Sequence, residues 1–135
     1  MPIRPPRRLA VFAAAGDLAV YLVATLVGFA SHQELRWSAV GRMGATWIPF
    51  SMAWLVAAFG LGLLDPDRLV KGPRLGRVLA GALLAAGVGA WLRSLWLGGS
   101  LVGIFVLVMA AVTGGSLVAW RWAFSFVSRR SGAKA

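Results

Sequence analysis

The stretch GDLAVYLVATLVGFASH, residues 16–32, is almost entirely apolar, although it begins beside an aspartate and ends on the only histidine of the chain. With the apolar residues before it, the run extends over residues 9–32. This exceeds the roughly 20 residues that a helix needs to cross a hydrocarbon core of about 30 Å. Backbone groups in lipid must satisfy one another, so the run predicts a transmembrane helix.

The composition agrees with a lipid solvent. The chain has 135 residues, of which 59% are hydrophobic and only 13% charged, and its mean hydropathy is +0.78. Soluble domains are about 45–50% apolar and about 25% charged. A soluble core of this size would leave much of the apolar surface in water, which excludes an ordinary soluble domain. Membrane lipid is therefore the first partner that we expect.

Four apolar runs of spanning length define one membrane domain. They cover approximately residues 9–32, 43–64, 75–98 and 101–127 of the sequence. We predict an all-α integral membrane bundle of four transmembrane helices over residues 9–127, with basic cytoplasmic ends at residues 1–8 and 128–135. The links at residues 33–42, 65–74 and 98–100 are short, which places consecutive helices antiparallel and adjacent. Residues 65–74 are predicted as a turn.

The net charge of +10 comes from 14 basic residues against four acidic ones. The basic residues lie at the ends of apolar runs, so we expect no nucleic-acid partner, although a strongly basic balance otherwise suggests one. Most of them fall on one side of the predicted membrane: Arg4, Arg7, Arg8, Arg68, Lys71, Arg74, Arg77, Arg129, Arg130 and Lys134. The positive-inside rule makes this side cytoplasmic. We therefore predict a multi-pass membrane protein with both termini in the cytoplasm.

The polar residues of the first helix form a stripe. At about 100° per residue, Asp17, Tyr21, Thr25 and His32 fall within an arc of about 80°. The other faces are mostly Val, Leu, Ala and Phe. A polar stripe in a membrane helix faces protein or a water-filled cavity rather than lipid.

Two polar clusters are predicted at the two ends of this stripe. Asp17 lies about 12 Å and Arg121 about 9 Å from the cytoplasmic side, so the two side chains are able to meet. Arg93 lies at the level of His32 and Glu34 on the outer side. Both clusters are open to two interpretations: structural pairs that fix helix register, or gates and proton sites on a path. A tight bridge between Asp17 and Arg121 would argue against proton or cation coupling.

The other helices carry packing features. Pro49 removes a backbone donor and predicts a kink in the second helix, with an opening toward a ligand as the functional alternative. Gly81, Ala85 and Gly89 are spaced by four, which favours close helix packing over a pore lining. Two groups of tryptophans are expected, boundary anchors at 37, 47, 96, 120 and 122 and bundle residues at 54 and 91.

Several kinds of chemistry lack the residues that they need. The chain has no cysteine and one histidine, which excludes thiolate metal sites and iron–sulfur clusters. One histidine cannot supply both axial ligands of a haem within one chain, although a dimer could. We find no nucleophile–base–acid constellation. The sequence therefore predicts no enzyme activity and no metal site, and it points to no particular cofactor.

A group of residues with a characteristic order resembles a known family. They are Asp17, Ser31-His32, Pro49-Phe50 followed by Trp54, Trp91-Leu92-Arg93, Phe105 and Trp120-Arg121. On these residues the chain resembles the bacterial membrane-protein family catalogued as domain-of-unknown-function 3054, over approximately residues 14–121. The family tends to have Gly-Arg before Ser-His, whereas this chain has Gly28-Phe29-Ala30. The resemblance implies four spanning helices, a place in the bacterial inner (cytoplasmic) membrane and no particular activity.

Three functions remain open from the sequence. The leading one is movement of a small solute or ion through a cavity lined by the first helix, with or without coupling to protons. Asp17 and Arg121 would form the inner gate, and His32 and Arg93 the outer one. The alternative is a non-catalytic accessory or scaffold subunit of a larger membrane complex. The third is a binder of a lipophilic cofactor. Four helices enclose little volume, so we expect a homo-oligomer, with a dimer favoured.

Overall fold

The computed structural model of the chain describes residues 7–132, and every regular element in that range is helical. The elements are α1 (Arg8–Ser31), α2 (Val40–Gly60), α3 (Pro66–Lys71), α4 (Leu75–Leu97) and α5 (Gly103–Gly132), with a 3-10 turn at Trp37–Ala39 before α2. The four long helices are apolar enough to cross a membrane, with mean hydropathies between 1.3 and 2.0. The predictions of an all-α chain and of four helices of spanning length are confirmed.

The helix ends differ from the predicted ones where local backbone geometry decides them. The second helix ends at Gly60 rather than residue 64, because Gly62 takes a left-handed conformation with φ of +67°. The amide of Leu63 then donates to the carbonyl of Ala58 at 2.8 Å, which closes the end as in a Schellman motif.

The last helix continues past residue 127 to Gly132. Of the predicted basic tail 128–135, residues 128–132 are therefore helical, and the rest lies outside the described range. Residues 1–6 of the predicted N-terminal segment also lie outside it.

The predicted turn at residues 65–74 contains the short helix α3. The side chain of Asp65 accepts a hydrogen bond from the amide of Asp67 at 3.1 Å, and Pro66 occupies the first helical position. Aspartate before a helix and proline at its first position are both preferred. At the other end of α3, the guanidinium of Arg129 donates to the carbonyls of Val70 and Lys71. The tail of α5 thus holds α3 in place.

Helices α2 and α4 pack most closely, α5 packs against α4, and α1 contacts both α2 and α5. The close approach of α2 and α4 depends on small residues. A Cβ atom built on Gly89 would lie 2.8 Å from Cγ and 2.9 Å from Cα of Phe50. Gly81 faces the ring of Trp54 in the same way, at 3.0 Å. The packing interpretation of Gly81, Ala85 and Gly89 is confirmed, since all three are buried.

The outer surface is strongly apolar. Large side chains such as Val11, Val56 and Phe59 are exposed along the long helices. The spans of α1 and α5 are each 22% buried, against 44% for the span that includes α2 and 39% for α4. A surface of this kind is stable in hydrocarbon and unstable in water, so the chain is a membrane protein.

Candidate functional site

The polar stripe of α1 points into the protein. Asp17, Tyr21 and Thr25 are all buried, with exposed fractions of 0%, 0% and 3%. Gly16, just before the aspartate, lies directly against the indole of Trp120, which leaves no room for a Cβ atom there. Helix α5 therefore covers this part of α1 closely, and the stripe meets protein side chains instead of lipid.

Asp17 and Arg121 form a two-point ion pair. The arginine Nε donates to Oδ1 at 2.9 Å, and its Nη2 donates to Oδ2 at 2.5 Å. The aspartate is fully buried and the arginine only 4% exposed. The meeting of these two side chains, predicted from their depths in the membrane, is confirmed. Charge-assisted pairs with this fork geometry are among the stronger hydrogen bonds in proteins.

Two further groups complete the pair. The indole Nε1 of Trp54 donates to Oδ2 of Asp17 at 2.9 Å, and Nη1 of Arg121 donates to the carbonyl of Leu63 at 2.6 Å. One cluster therefore ties together α1, α2, α5 and the turn after α2. We call Asp17, Trp54, Leu63 and Arg121 the inner cluster. Sequence reasoning missed Trp54 and Leu63 as partners, because neither an indole nor a backbone carbonyl is marked by charge.

The middle of the stripe is less fully hydrogen-bonded. Thr25 Oγ1 donates to the carbonyl of Tyr21 at 2.8 Å, which satisfies it within its own helix. The ring of Tyr21 packs against Trp54 with centroids 6.2 Å apart. The hydroxyls of Tyr21 and Ser51 are buried and have no hydrogen-bond partner within residues 7–132. Buried hydroxyls of this kind are places where an ordered water or a polar ligand atom is expected.

The outer residues do not form the predicted pair. His32 is exposed at the end of α1, and among the described residues no hydrogen bond or ion pair joins it to Arg93. Arg93 instead donates its Nε to Thr46 Oγ1 at 2.9 Å and lies over the ring of Phe105 at 5.0 Å. The reason lies in the helix arrangement: within the described range no Cα atom of α1 lies within 8 Å of a Cα atom of α4.

Glu34 also finds a partner within its own hairpin. Gln33 adopts a left-handed backbone with φ of +57°, and the chain reverses there. The carboxylate of Glu34 then pairs with Arg42 at 3.0 Å. The outer side thus holds two separate polar contacts, Glu34–Arg42 and Arg93–Thr46.

Pro49 lies inside α2 and is buried. Thr46, one turn before it, donates its hydroxyl to the carbonyl of Arg42 at 3.0 Å and accepts the bond from Arg93. The hydroxyl of Thr46 is therefore engaged with the protein itself, both as donor and as acceptor.

The tryptophans divide differently from the prediction. Trp37, Trp96 and Trp122 are exposed, as anchors are, and the first two lie near helix ends. Trp47 and Trp120, predicted as anchors, are partly buried, and the indole of Trp47 donates to the carbonyl of Leu18 at 3.1 Å. Trp91, predicted inside the bundle, is 55% exposed. Depth along the helix fixed the prediction, whereas the face of the helix decides burial.

Comparison with known proteins supports the family. Residues 14–124 match the model of a family described as "Protein of unknown function (DUF3054)". No curated protein and no solved structure matches the chain. The matched range contains all of α2, α3 and α4, together with both charged members of the inner cluster. Because the match covers well over half of the sequence, the chain belongs to the DUF3054 family.

Proposed function

We propose that this membrane protein is a non-catalytic accessory or scaffold subunit, which acts by binding other proteins within the bilayer. The observation that carries the proposal is the inner cluster. The carboxylate of Asp17 accepts three hydrogen bonds from Trp54 and Arg121, so the one acidic group of the stripe is already engaged. A closed pair of this kind suits fixed helix register better than proton or cation movement.

The exposed faces of α1 and α5 support the same proposal. These two helices are the least covered by the rest of the chain, and they leave the most apolar surface for a neighbouring protein. A second copy of this chain is the partner that we test first, and a dimer is the state that we favour. The positive-inside rule supports an orientation with both termini in the cytoplasm of a bacterium. The basic end of the molecule carries the charges for this argument: Arg68, Lys71, Arg74, Arg77, Arg129 and Arg130.

Site-specific photo-crosslinking in cells tests the accessory role. A photoreactive residue is placed at Val23 on α1, at Leu107 on α5 or at Val56 on α2, all of which are exposed. We expect one discrete protein adduct from the α1 or α5 position, and no such adduct from the matched α2 position. An adduct of twice the chain mass identifies a homodimer. Adducts with lipid alone from all three positions would overturn the proposal.

Movement of a small solute or ion is the second candidate function. The observation in its favour is the pair of buried hydroxyls on Tyr21 and Ser51, whose hydrogen-bonding capacity is unused in the described range. On this alternative, polar atoms of a passing solute would bind there while the inner cluster opens.

Cysteine accessibility separates the two functions, because the chain has no native cysteine. Thr25→Cys and Ser51→Cys change little volume, and Ser38→Cys at an exposed position is the positive control. On the accessory proposal, a small impermeant thiol reagent labels only the Ser38 variant. Labelling of both buried variants from one side of the membrane would favour solute movement instead.

A further inference from the structure

A groove lies at the basic end, between the start of α4 and the end of α5. It has an empty volume of about 620 Å³, and Lys71, Gly72, Leu75, Trp122, Phe126 and Arg129 are among its lining residues. A Cβ atom on Gly72 would lie 2.8 Å from Nη2 of Arg129, and its φ of +102° suits glycine. The absence of a side chain at Gly72 thus brings the backbone against the guanidinium.

The polar half of the groove is positively charged. Arg129 is held in place by two backbone carbonyls of α3. The side chains of Lys71 and Arg74 are exposed, and neither makes an ion pair with another residue in the range 7–132. The carboxylate of Asp65 pairs with Arg68 at 3.5 Å. The cations around the groove therefore outnumber the carboxylates that neutralise them.

A second cavity adjoins the groove and adds to the positive potential. It has an empty volume of about 370 Å³ and also has Gly72 in its wall. Arg68, Arg74 and Arg77 line it together with Arg121. Of these, Arg121 is neutralised by Asp17, and Arg77 donates to the carbonyl of Leu61 at 3.2 Å. The remaining charges favour an anion at the membrane surface.

The apolar half of the groove faces the hydrocarbon. Leu75, Trp122 and Phe126 are exposed there, and they line the same groove as Lys71 and Arg129. Cations at the membrane surface next to exposed apolar and aromatic side chains match the two halves of a lipid molecule. Basic pockets between transmembrane helices bind anionic head groups in this way.

We propose that this groove binds one anionic glycerophospholipid. Its phosphate lies between Lys71 and Arg129, and an acyl chain lies along Leu75, Trp122 and Phe126. The surplus of cations selects an anionic lipid over a zwitterionic one. The apolar half selects a lipid over a free phosphate ion. This proposal goes beyond the accessory role, since the site lies on α3, α4 and α5 and its lining contains no member of the inner cluster.

Native mass spectrometry of the purified protein tests the site. The protein is titrated with phosphatidylglycerol, with phosphatidylcholine and with inorganic phosphate in separate arms. We expect retained phosphatidylglycerol, little phosphatidylcholine, and no displacement of the anionic lipid by millimolar phosphate. Lys71→Gln is expected to weaken binding of the anionic lipid about fivefold, because each cation near the membrane surface contributes about 1 kcal/mol. The double variant Lys71→Gln with Arg74→Gln is expected to weaken it about 30-fold.

The matched control is Arg36→Gln. Arg36 is an exposed cation at the opposite end of the molecule, so its removal lowers the net charge equally without touching the groove. Unchanged affinity in Lys71→Gln, or an equal loss in Arg36→Gln, would overturn the proposal. Displacement of lipid by inorganic phosphate would also overturn it and indicate a free-anion site. Thermal unfolding of each variant checks that the fold is intact.

Discussion

The guanidinium of Arg121 and the carboxylate of Asp17, 104 residues apart in the sequence, share two hydrogen bonds in the buried interior of the protein. The pair joins the first helix to the last. Because an unpaired charge is costly in hydrocarbon, any sliding of α1 against α5 would break both bonds and leave two ions exposed to lipid. The pair therefore fixes the register of these helices.

We expect either single change at this pair to destabilise the protein strongly. Asp17→Asn leaves a buried cation without its counter-charge, and Arg121→Met leaves a buried anion. Breaking a buried pair from one side costs about 3–5 kcal/mol. The free energy of unfolding in mixed micelles, measured for each variant, checks this.

The double variant Asp17→Asn with Arg121→Met is the control for this prediction. It removes both charges and keeps an acceptor for the indole of Trp54, so its cost should be smaller than the sum of the two single costs. Additive costs would show that the two charges contribute to stability independently.

The depth of the two charges was predictable, and their surroundings were not. A rise of about 1.5 Å per residue places Asp17 and Arg121 at similar levels from sequence alone. Trp54 and Leu63 join them because of how α2 packs, which no local pattern records. The predicted outer pair was wrong for the same reason: membrane level alone suggested His32 with Arg93, whereas the backbones of α1 and α4 are not neighbours in the described range. Which helices are neighbours has to come from the three-dimensional packing.

The sequence contained a local signal for α3 that the prediction of a turn at residues 65–74 did not use. Asp65 before Pro66 is a helix-start pattern, yet the surrounding charges, Pro73 and Gly72 favoured a turn. The structure contains α3 there, and its C-terminal carbonyls accept bonds from Arg129 of α5. A helix of six residues is marginally stable alone, and α3 has six. Its stability therefore depends on the long-range contact with Arg129, which the local sequence pattern does not reveal.

Trp54→Phe is expected to destabilise the protein by more than the lost hydrogen bond alone. A hydrogen bond to a charged group contributes about 1.5–3 kcal/mol, and the smaller ring also leaves a void next to Gly81. Thermal unfolding in detergent measures the effect. Trp91→Phe is the matched control, because Trp91 is exposed to lipid and its change should leave the midpoint almost unchanged. Equal effects would contradict the assigned role of Trp54.

Gly89→Ala tests the close contact of α2 and α4. The added methyl group would lie within 3 Å of the backbone and ring of Phe50, and overpacking of this kind costs about 1–3 kcal/mol. Gly87→Ala, on the same helix with open space around it, is the control. It should be neutral or stabilise the protein by up to about 1 kcal/mol, since alanine favours helix. Both are measured by unfolding in mixed micelles. If the two variants unfold alike, the helices are farther apart than described.

The orientation is testable with two exposed serines at opposite ends. Ser38 precedes α2 at the end opposite the basic end, and Ser131 lies at the end of α5 beside Arg130. The positive-inside rule predicts that Ser131 is cytoplasmic. In intact cells an impermeant thiol reagent should therefore label Ser38→Cys and spare Ser131→Cys, and permeabilising the cells should make both reactive. The reverse pattern in intact cells would place the basic end outside. That result would remove the charge argument for cytoplasmic termini and leave the helix packing unaffected.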